Sequence, residues 1–184
     1  MSRRWPARAK RGHHDGRHHV YVQTRHIGGL TIRLLRPGDT ATVSALFERL
    51  GPRSRERRFC GAKPRLSADE LRLLAQVDAE HHVLVGYLDG DPEPVGIAHL
   101  VRDGKSAEVA FEVADEYQGR GIGTILTREL ATDARAAGVT ELVATVCGDN
   151  PPAASLMARV AQSLHVRWRG GEQELVAGLE GGAG

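Results

Sequence analysis

The residues best suited to chemistry form a glycine-rich segment in the middle of the chain, Gln118-Gly119-Arg120-Gly121-Ile122-Gly123. Glycine has no Cβ atom, so the backbone of this segment can approach a ligand closely. A stretch with helical periodicity follows, and the first N–H groups of a helix lack partners within the helix. These donors and the positive end of the helix dipole favour an anion such as a pyrophosphate. Arg120 adds a full charge, and Thr124 adds a hydroxyl.

Glycine-rich turns before a helix also occur in dinucleotide-binding folds, in P-loops and in simple tight turns. In this chain the spacing differs from G-x-G-x-x-G, no Gly-Lys-Ser/Thr follows, and the preceding segments are predicted antiparallel strands. A Rossmann or P-loop interpretation is therefore disfavoured.

Two carboxylates lie in the strand predicted from Ser106 to Val113. Side chains alternate along a strand, so Glu108 and Glu112 share one face and Phe111 and Val113 the other. A spacing of four residues corresponds to roughly 13 Å, too far for one acid/base pair. Either carboxylate can serve as a general base for an amine. The alternative is that both are solvated residues on the polar face of a strand.

The periodicities around these residues predict a layered α/β protein. Asp39 and Ser67 are predicted to cap two helices after a first hairpin at Gly28-Gly29. Three antiparallel strands follow, over about 82–88, 95–101 and 106–113. A helix from about Gly121 to Ala137, a strand over about 141–146, a helix capped by Asn150 and two closing strands complete the pattern.

Composition and charge restrict the class of protein. The chain has 184 residues, which suits one domain, and its 25 basic residues nearly balance 23 acidic ones. We expect a basic, His/Arg-rich disordered tail over 1–19, one domain over 20–179 and a frayed end over 180–184. Nucleic-acid binding is not expected. No apolar run suits a membrane span or a signal peptide, so we expect no membrane association and a cytoplasmic protein.

The cysteines and histidines do not predict a metal site. Cys60 and Cys147 are isolated, without a C-x-x-C pair, so neither a disulfide framework nor a zinc site is expected, and Cys147 is interpreted as a small buried thiol. The histidine pairs of the tail lack a carboxylate or a thiol to complete a site. We therefore expect no metal.

The order of elements and the segment Ala107 to Gly123 resemble the GNAT superfamily of N-acetyltransferases. Its pyrophosphate motif, Gln/Arg-x-x-Gly-x-Gly/Ala, is matched by Gln118-Gly-Arg-Gly-Ile-Gly123, and the resemblance covers about Leu30 to Leu179. It implies an α/β fold, α+β in its layering, with a mixed, mostly antiparallel central sheet of about six or seven strands and about four helices. The segments Leu35–Asp39, Arg53–Phe59 and Ala107–Phe111 look like the acetyltransferase domain of bacterial protein-lysine acetyltransferases, here without room for a fused sensor domain.

The resemblance implies acetyl-CoA as cosubstrate and a set of site residues. Glu108 matches the catalytic glutamate of the histone-acetyltransferase branch and is our first choice of base; Glu112 is the second. The cofactor-binding residues implied are Phe111, Val113, Gln118, Gly119, Arg120, Gly121, Ile122, Gly123, Thr124 and Asn150. Pantetheine would run beside the strand at Phe111 to Val113, with a backbone N–H near Val113 polarising the thioester carbonyl.

Three functions remain open at this point. The first is acetyl transfer to a primary amine, above all protein lysine, by direct attack in a ternary complex. The second is a small-molecule amine acetyltransferase acting on a polyamine or an aminoglycoside. The third is a catalytically weak acyl-CoA-binding module, because Met157 stands where many GNAT enzymes carry a tyrosine as general acid. A homodimer is compatible with the resemblance.

Overall fold

The computed structural model describes residues 24–148, 150–169 and 172–179. These residues form strands β1 Arg25–Ile27, β2 Leu30–Leu34, β3 His81–Leu88, β4 Pro94–Asp103, β5 Ser106–Val113, β6 Glu141–Cys147, β7 Ser163–Arg169 and β8 Glu172–Gly178. They also form helices α1 Thr40–Glu48, α2 Pro52–Phe59, α3 Ala68–Leu74, α4 Ile122–Ala136 and α5 Pro151–Ala158. The tail predicted over 1–19 and the frayed end predicted over 180–184 lie outside the described residues.

All eight strands belong to one sheet, in the order β1-β2-β3-β4-β5-β6-β8-β7. Every neighbouring pair is antiparallel except β5 and β6, which are parallel. The predicted fold class, a layered α/β fold with a mixed and mostly antiparallel sheet, is confirmed. The sheet has eight strands, one more than the upper number that the resemblance implies.

Helices cover both faces of the sheet. On one face α4 and α5 bury a large apolar cluster that includes Leu126, Leu130 and Met157. On the other face α1 and α3 bury a smaller cluster around Leu46 and Leu74. Each fully buried side chain of this size stabilises the fold by about 2 kcal/mol relative to its exposed state.

Local signals fix the ends of most helices. Asp39 accepts a hydrogen bond from the backbone N–H of Thr42 and starts α1, as predicted. Ser67 and Glu70 form the predicted capping box of α3, in which each side chain accepts from the backbone N–H of the other residue. The Oδ1 of Asn150 accepts from Ala153 N and starts α5.

Helix α2 was missed by the sequence analysis, which placed two helices rather than three before β3. Its sequence, Pro-Arg-Ser-Arg-Glu-Arg-Arg-Phe, has no apolar stripe, and none of its residues is fully buried. Hydrophobic periodicity therefore could not reveal it. The helix begins with a proline in its first turn and ends at Cys60, which adopts a left-handed conformation with φ of 55°.

The prediction about the cysteines was wrong. Cys60, just after α2, and Cys147, at the end of β6, form a disulfide with their Cα atoms 5.4 Å apart. Cys147 is half-buried rather than a buried thiol. Because the two residues are 87 positions apart in the chain, no spacing motif could have predicted the pairing.

Within the described part of the chain, no helix is both long enough and apolar enough to cross a membrane.

Candidate active site

A gap opens in the middle of the sheet where β5 and β6 diverge. The two strands pair only at their beginnings, from Ser106 opposite Glu141 to Glu108 opposite Val143. Beyond that point β5 stays paired with β4, and β6 stays paired with β8. The remainder of β5, up to Val113, therefore has one edge without a neighbouring strand.

The free edge of β5 presents backbone hydrogen-bonding groups to the gap. Ala114 N donates to Val95 O, so the backbone N–H of Ala114 points toward β4. Backbone groups alternate along a strand, and the N–H and C=O groups of Phe111 and Val113 therefore point the other way, into the gap. An extended ligand can pair with this edge as an added strand does.

The glycine-rich segment turns from β5 into α4 beside the gap. Gly119 and Gly121 have φ of 76° and 84°, in the left-handed region that glycine adopts without strain, and Gly121 is the N-terminal cap of α4. The Gln118 side chain donates to Val113 O at 3.0 Å and lies 3.3 Å from Ser54 Oγ of α2. The turn thus exposes the first N–H groups of a 15-residue helix at one end of the gap.

A cavity of about 740 Å³ occupies the gap and extends to α2. It is lined by β5 from Glu108 to Val113, by part of β6, by the glycine-rich turn, by α5 and by the segment from Arg57 to Lys63. All the predicted site residues line it except Arg120. The exposed Arg120 guanidinium lies 5.0 Å from the centre of the Tyr117 ring.

The two candidate bases have different surroundings. Both belong to the face of β5 that α2 covers, as the alternation predicts. Glu108 is half-buried in the cavity wall, whereas Glu112 is buried and its carboxylate accepts a hydrogen bond from Arg58 Nε of α2. The interpretation of Glu112 as a solvated residue is therefore wrong, because Arg58 of α2 covers its carboxylate.

A histidine lies behind this ion pair. His99 of β4 is buried, with its Nε2 atom 3.9 Å from Glu112 Oε2. Burial lowers the pKa of His99 to about 4, although the Glu112 charge opposes the shift. The imidazole is therefore neutral at physiological pH, and Arg58 supplies the positive charge beside Glu112.

The structure narrows the choice of general acid. Met157, at the position of the missing tyrosine, is fully buried in the core and does not line the cavity. Tyr117 lines the cavity, but its hydroxyl donates to Asp91 Oδ2 at 2.7 Å, which raises the pKa of the phenol. Ser155 of α5 is exposed and lines the cavity, so its hydroxyl is available near the gap.

Sequence reasoning missed the cavity wall that α2 and the residues after it form, including Arg58 and Cys60. Both lie in the Arg-rich segment whose helix had no apolar pattern. The structure identifies Arg58 by its hydrogen bond to Glu112, and Cys60 by its disulfide bond to Cys147.

Comparison with known proteins identifies acetyltransferases as relatives of this chain. A family model described as the acetyltransferase (GNAT) family matches residues 43–161. Acetyltransferase Pat from Mycolicibacterium smegmatis is 34% identical over 146 residues, which are 77% of this chain. The chain spans only 43% of the length of that relative.

Solved structures show the same fold. The GNAT domain of S. lividans PAT superimposes with a TM-score of 0.74 and 24% identity, over 82% of this chain and 90% of that domain. The yncA acetyltransferase from Salmonella typhimurium, solved with its cofactor acetyl-CoA, gives a TM-score of 0.60 and 19% identity over 85% and 98% of the two chains.

Proposed function

Because the chain belongs to the GNAT family of acetyltransferases, we propose that it transfers an acetyl group from acetyl-CoA to the ε-amine of a protein lysine. The observation that carries this proposal is the gap between β5 and β6, which joins an anion-binding helix start to a carboxylate. The amine attacks the thioester directly while both substrates are bound.

Acetyl-CoA fits the groups that line the gap. The backbone N–H groups at the start of α4, the glycines and Thr124 suit the pyrophosphate. The pantetheine arm, which contains amide groups, pairs with the edge of β5 at Phe111 and Val113, and the Asn150 side chain lies on its path. A backbone N–H near Val113 then polarises the thioester carbonyl, as an oxyanion-hole donor does.

Glu108 acts as the general base, directly or through water. A lysine amine has a pKa near 10.4 and arrives protonated at neutral pH, so it must lose a proton before attack. Glu108 lines the cavity at the point where β5 and β6 separate, within the gap that receives the thioester. Glu112 serves a different purpose. Its ion pair with Arg58 holds α2 over the side of the cavity that the segment from Arg57 to Lys63 lines, where we place the acceptor amine.

Direct attack is favoured over an acyl-enzyme. Among the described residues of the cavity wall, Cys60 is the one cysteine, and in the oxidised protein its sulfur is bonded to Cys147. The amine therefore has no thiolate to compete with for the thioester. A lysine side chain is long and slim, which suits an acceptor mouth bordered by Cys60 to Lys63, where Cys60 and Ala62 are exposed.

The base is tested by the Glu108→Gln variant. We expect kcat for acetyl transfer to a lysine peptide to fall by at least about 10²-fold, the usual effect of losing a general base. The dissociation constant for acetyl-CoA, measured by calorimetry, should not change. Glu141→Gln, a matched change on β6 outside the cavity, should retain wild-type kcat. Equal activity of Glu108→Gln and wild type would exclude Glu108 as the base.

A further inference from the structure

The Cys60–Cys147 disulfide connects two walls of the cavity. Cys60 directly follows α2, is exposed and lines the cavity. Cys147 ends β6, three residues before Asn150. The bond therefore ties the helix on the acceptor side to the strand that forms the far wall of the gap.

Helix α2 contacts the rest of the protein mainly through polar side chains. None of its residues is fully buried. Arg58 pairs with Glu112, and Arg55 donates to Pro64 O at 2.9 Å while its guanidinium lies 4.2 Å from the centre of the Phe47 ring. The last residue of the helix, Phe59, packs its ring against Phe47 with the ring centres 5.9 Å apart. Apart from this one apolar contact, the helix has no apolar stripe, and the polar contacts and the disulfide hold the remainder in position.

The Cys60–Cys147 disulfide is accessible from solvent on the side of Cys60, which is exposed. Cys60 is the non-glycine residue with a left-handed φ among those described, a conformation that costs of order 1–3 kcal/mol. Exposed disulfides are also the ones that small thiols can attack.

We propose that Cys60 and Cys147 form a reversible redox modification site that takes a small-molecule thiol as its substrate, and that its state sets the position of α2 over the acceptor mouth. The consequence for acetyl transfer rests on the function proposed above, whereas the redox chemistry and its effect on α2 do not.

The reaction is a thiol–disulfide exchange. A thiolate attacks the sulfur of Cys60, the exposed residue of the pair, a new disulfide forms, and Cys147 leaves as a thiolate that takes up a proton. A second thiolate attacks the sulfur of the added thiol and releases Cys60. Two small thiols are thereby oxidised to one disulfide, and the protein disulfide is reduced to two thiols.

The chemistry is tested on the wild-type protein with glutathione as the probe. The chain has two cysteines, so labelling with a maleimide reports the state of this pair alone. We expect no label on the oxidised protein, two labels after incubation with reduced glutathione, and none again after oxidised glutathione. Two labels on the protein even after oxidised glutathione would overturn the proposal, as would no label at any glutathione concentration.

The effect on α2 is tested by hydrogen exchange in the same samples. Reduction should accelerate amide exchange in Pro52–Phe59 at least about fivefold, and exchange in α4 should not change. Cys60→Ser and Cys147→Ser should each exchange like the reduced wild type and should not respond to glutathione. Identical exchange of α2 in the oxidised and reduced protein would overturn the assignment, even if acetyl transfer is never detected.

The consequence for activity is measured by mass spectrometry of the acceptor peptide, because added thiols interfere with colorimetric detection of CoA. Reduction should raise KM for the peptide at least about fivefold, the lower end of coupling between sites, and leave KM for acetyl-CoA within about twofold. Glu172 offers an oxygen within 4.8 Å of the Cys60 and Cys147 sulfur atoms. One equivalent of tightly bound zinc in the reduced protein would therefore replace the redox assignment with a metal site.

Discussion

Glu112 and Arg58 form an ion pair in which each side chain is only 6% exposed. A buried charge is stable only when it has a partner, because its transfer from water costs several kcal/mol. The Nε2 atom of the adjacent His99 is 3.9 Å from the carboxylate, and the ring is neutral. Glu112 therefore depends on Arg58 for its charge, and the pair attaches α2 to the sheet.

Removing the charge of Glu112 should lower the free energy of unfolding of the protein. Glu112→Gln leaves the Arg58 guanidinium without its carboxylate, and we expect a loss of about 3 kcal/mol in the free energy of unfolding. Urea denaturation of the variant measures it, with the exposed Glu93→Gln as a control that should change little. A loss below about 0.5 kcal/mol would show that the pair does not hold α2.

Gly121 combines a conformational role with a proposed ligand contact. Its φ of 84° is strained for any residue with a Cβ atom, although nothing lies within 4 Å of the position a Cβ would take. Gly138, which follows α4, has nearly the same φ of 78° and equally open surroundings, but lies away from the cavity.

Alanine at these two glycines should separate strain from ligand binding. We expect Gly121→Ala and Gly138→Ala to lose similar stability, about 1 kcal/mol each. Only Gly121→Ala should also weaken acetyl-CoA binding, because its backbone is proposed to lie against the pyrophosphate. Calorimetric titration with acetyl-CoA checks this, and equal affinities for both variants would contradict the proposed position of the pyrophosphate.

At the scale of elements, the α2–α3 connection borders the acceptor side of the cavity. Glu70 closes the capping box of α3 and also accepts a hydrogen bond from Lys63 Nζ. Lys63 and the Ser67 backbone N–H lower the pKa of Glu70 to about 2. The ionised carboxylate therefore stabilises both the helix start and the preceding loop.

The stabilisation by Glu70 should depend on pH. Its folded pKa lies below the usual value near 4.3, so the contribution is complete above that value and is lost as the pH falls toward about 2. We expect Glu70→Gln to lose roughly 1 kcal/mol at pH 7, and the difference from wild type to shrink below pH 4. Thermal unfolding between pH 7 and pH 2 measures it; Asp69→Asn, at an exposed neighbour, is the control. A difference that is constant with pH would contradict the assigned pKa.

Elements with a periodic apolar pattern were predictable from the sequence, and the one without such a pattern was not. β3 to β6, α4 and α5 appear where alternation, glycines and caps indicated them. Helix α2 was not predicted, because an ion pair, ring contacts and a disulfide hold it in place. Such contacts join residues far apart in the chain, and a single sequence gives no signal for them.

At the scale of the whole molecule, the site exists because two central strands separate. Glu108, the free edge of β5 and the glycine-rich turn follow one another along the chain, and the divergence of β5 and β6 opens the cavity that they line. The motif and the family resemblance predicted eleven of the lining residues, but not the wall formed by α2. The identity of an acceptor depends on that wall, and so the sequence alone could not assign it.

The central claim is acetyl transfer from acetyl-CoA to a lysine amine in this cavity. The most direct test incubates the wild-type protein with acetyl-CoA and, separately, lysine peptides, a polyamine and an aminoglycoside, and follows CoA release together with acetylation of each acceptor. We predict stoichiometric release and acetylation with lysine peptides. Tight binding of acetyl-CoA without turnover on any acceptor would contradict the claim and indicate a binding module, and turnover confined to the polyamine or the aminoglycoside would contradict the lysine assignment.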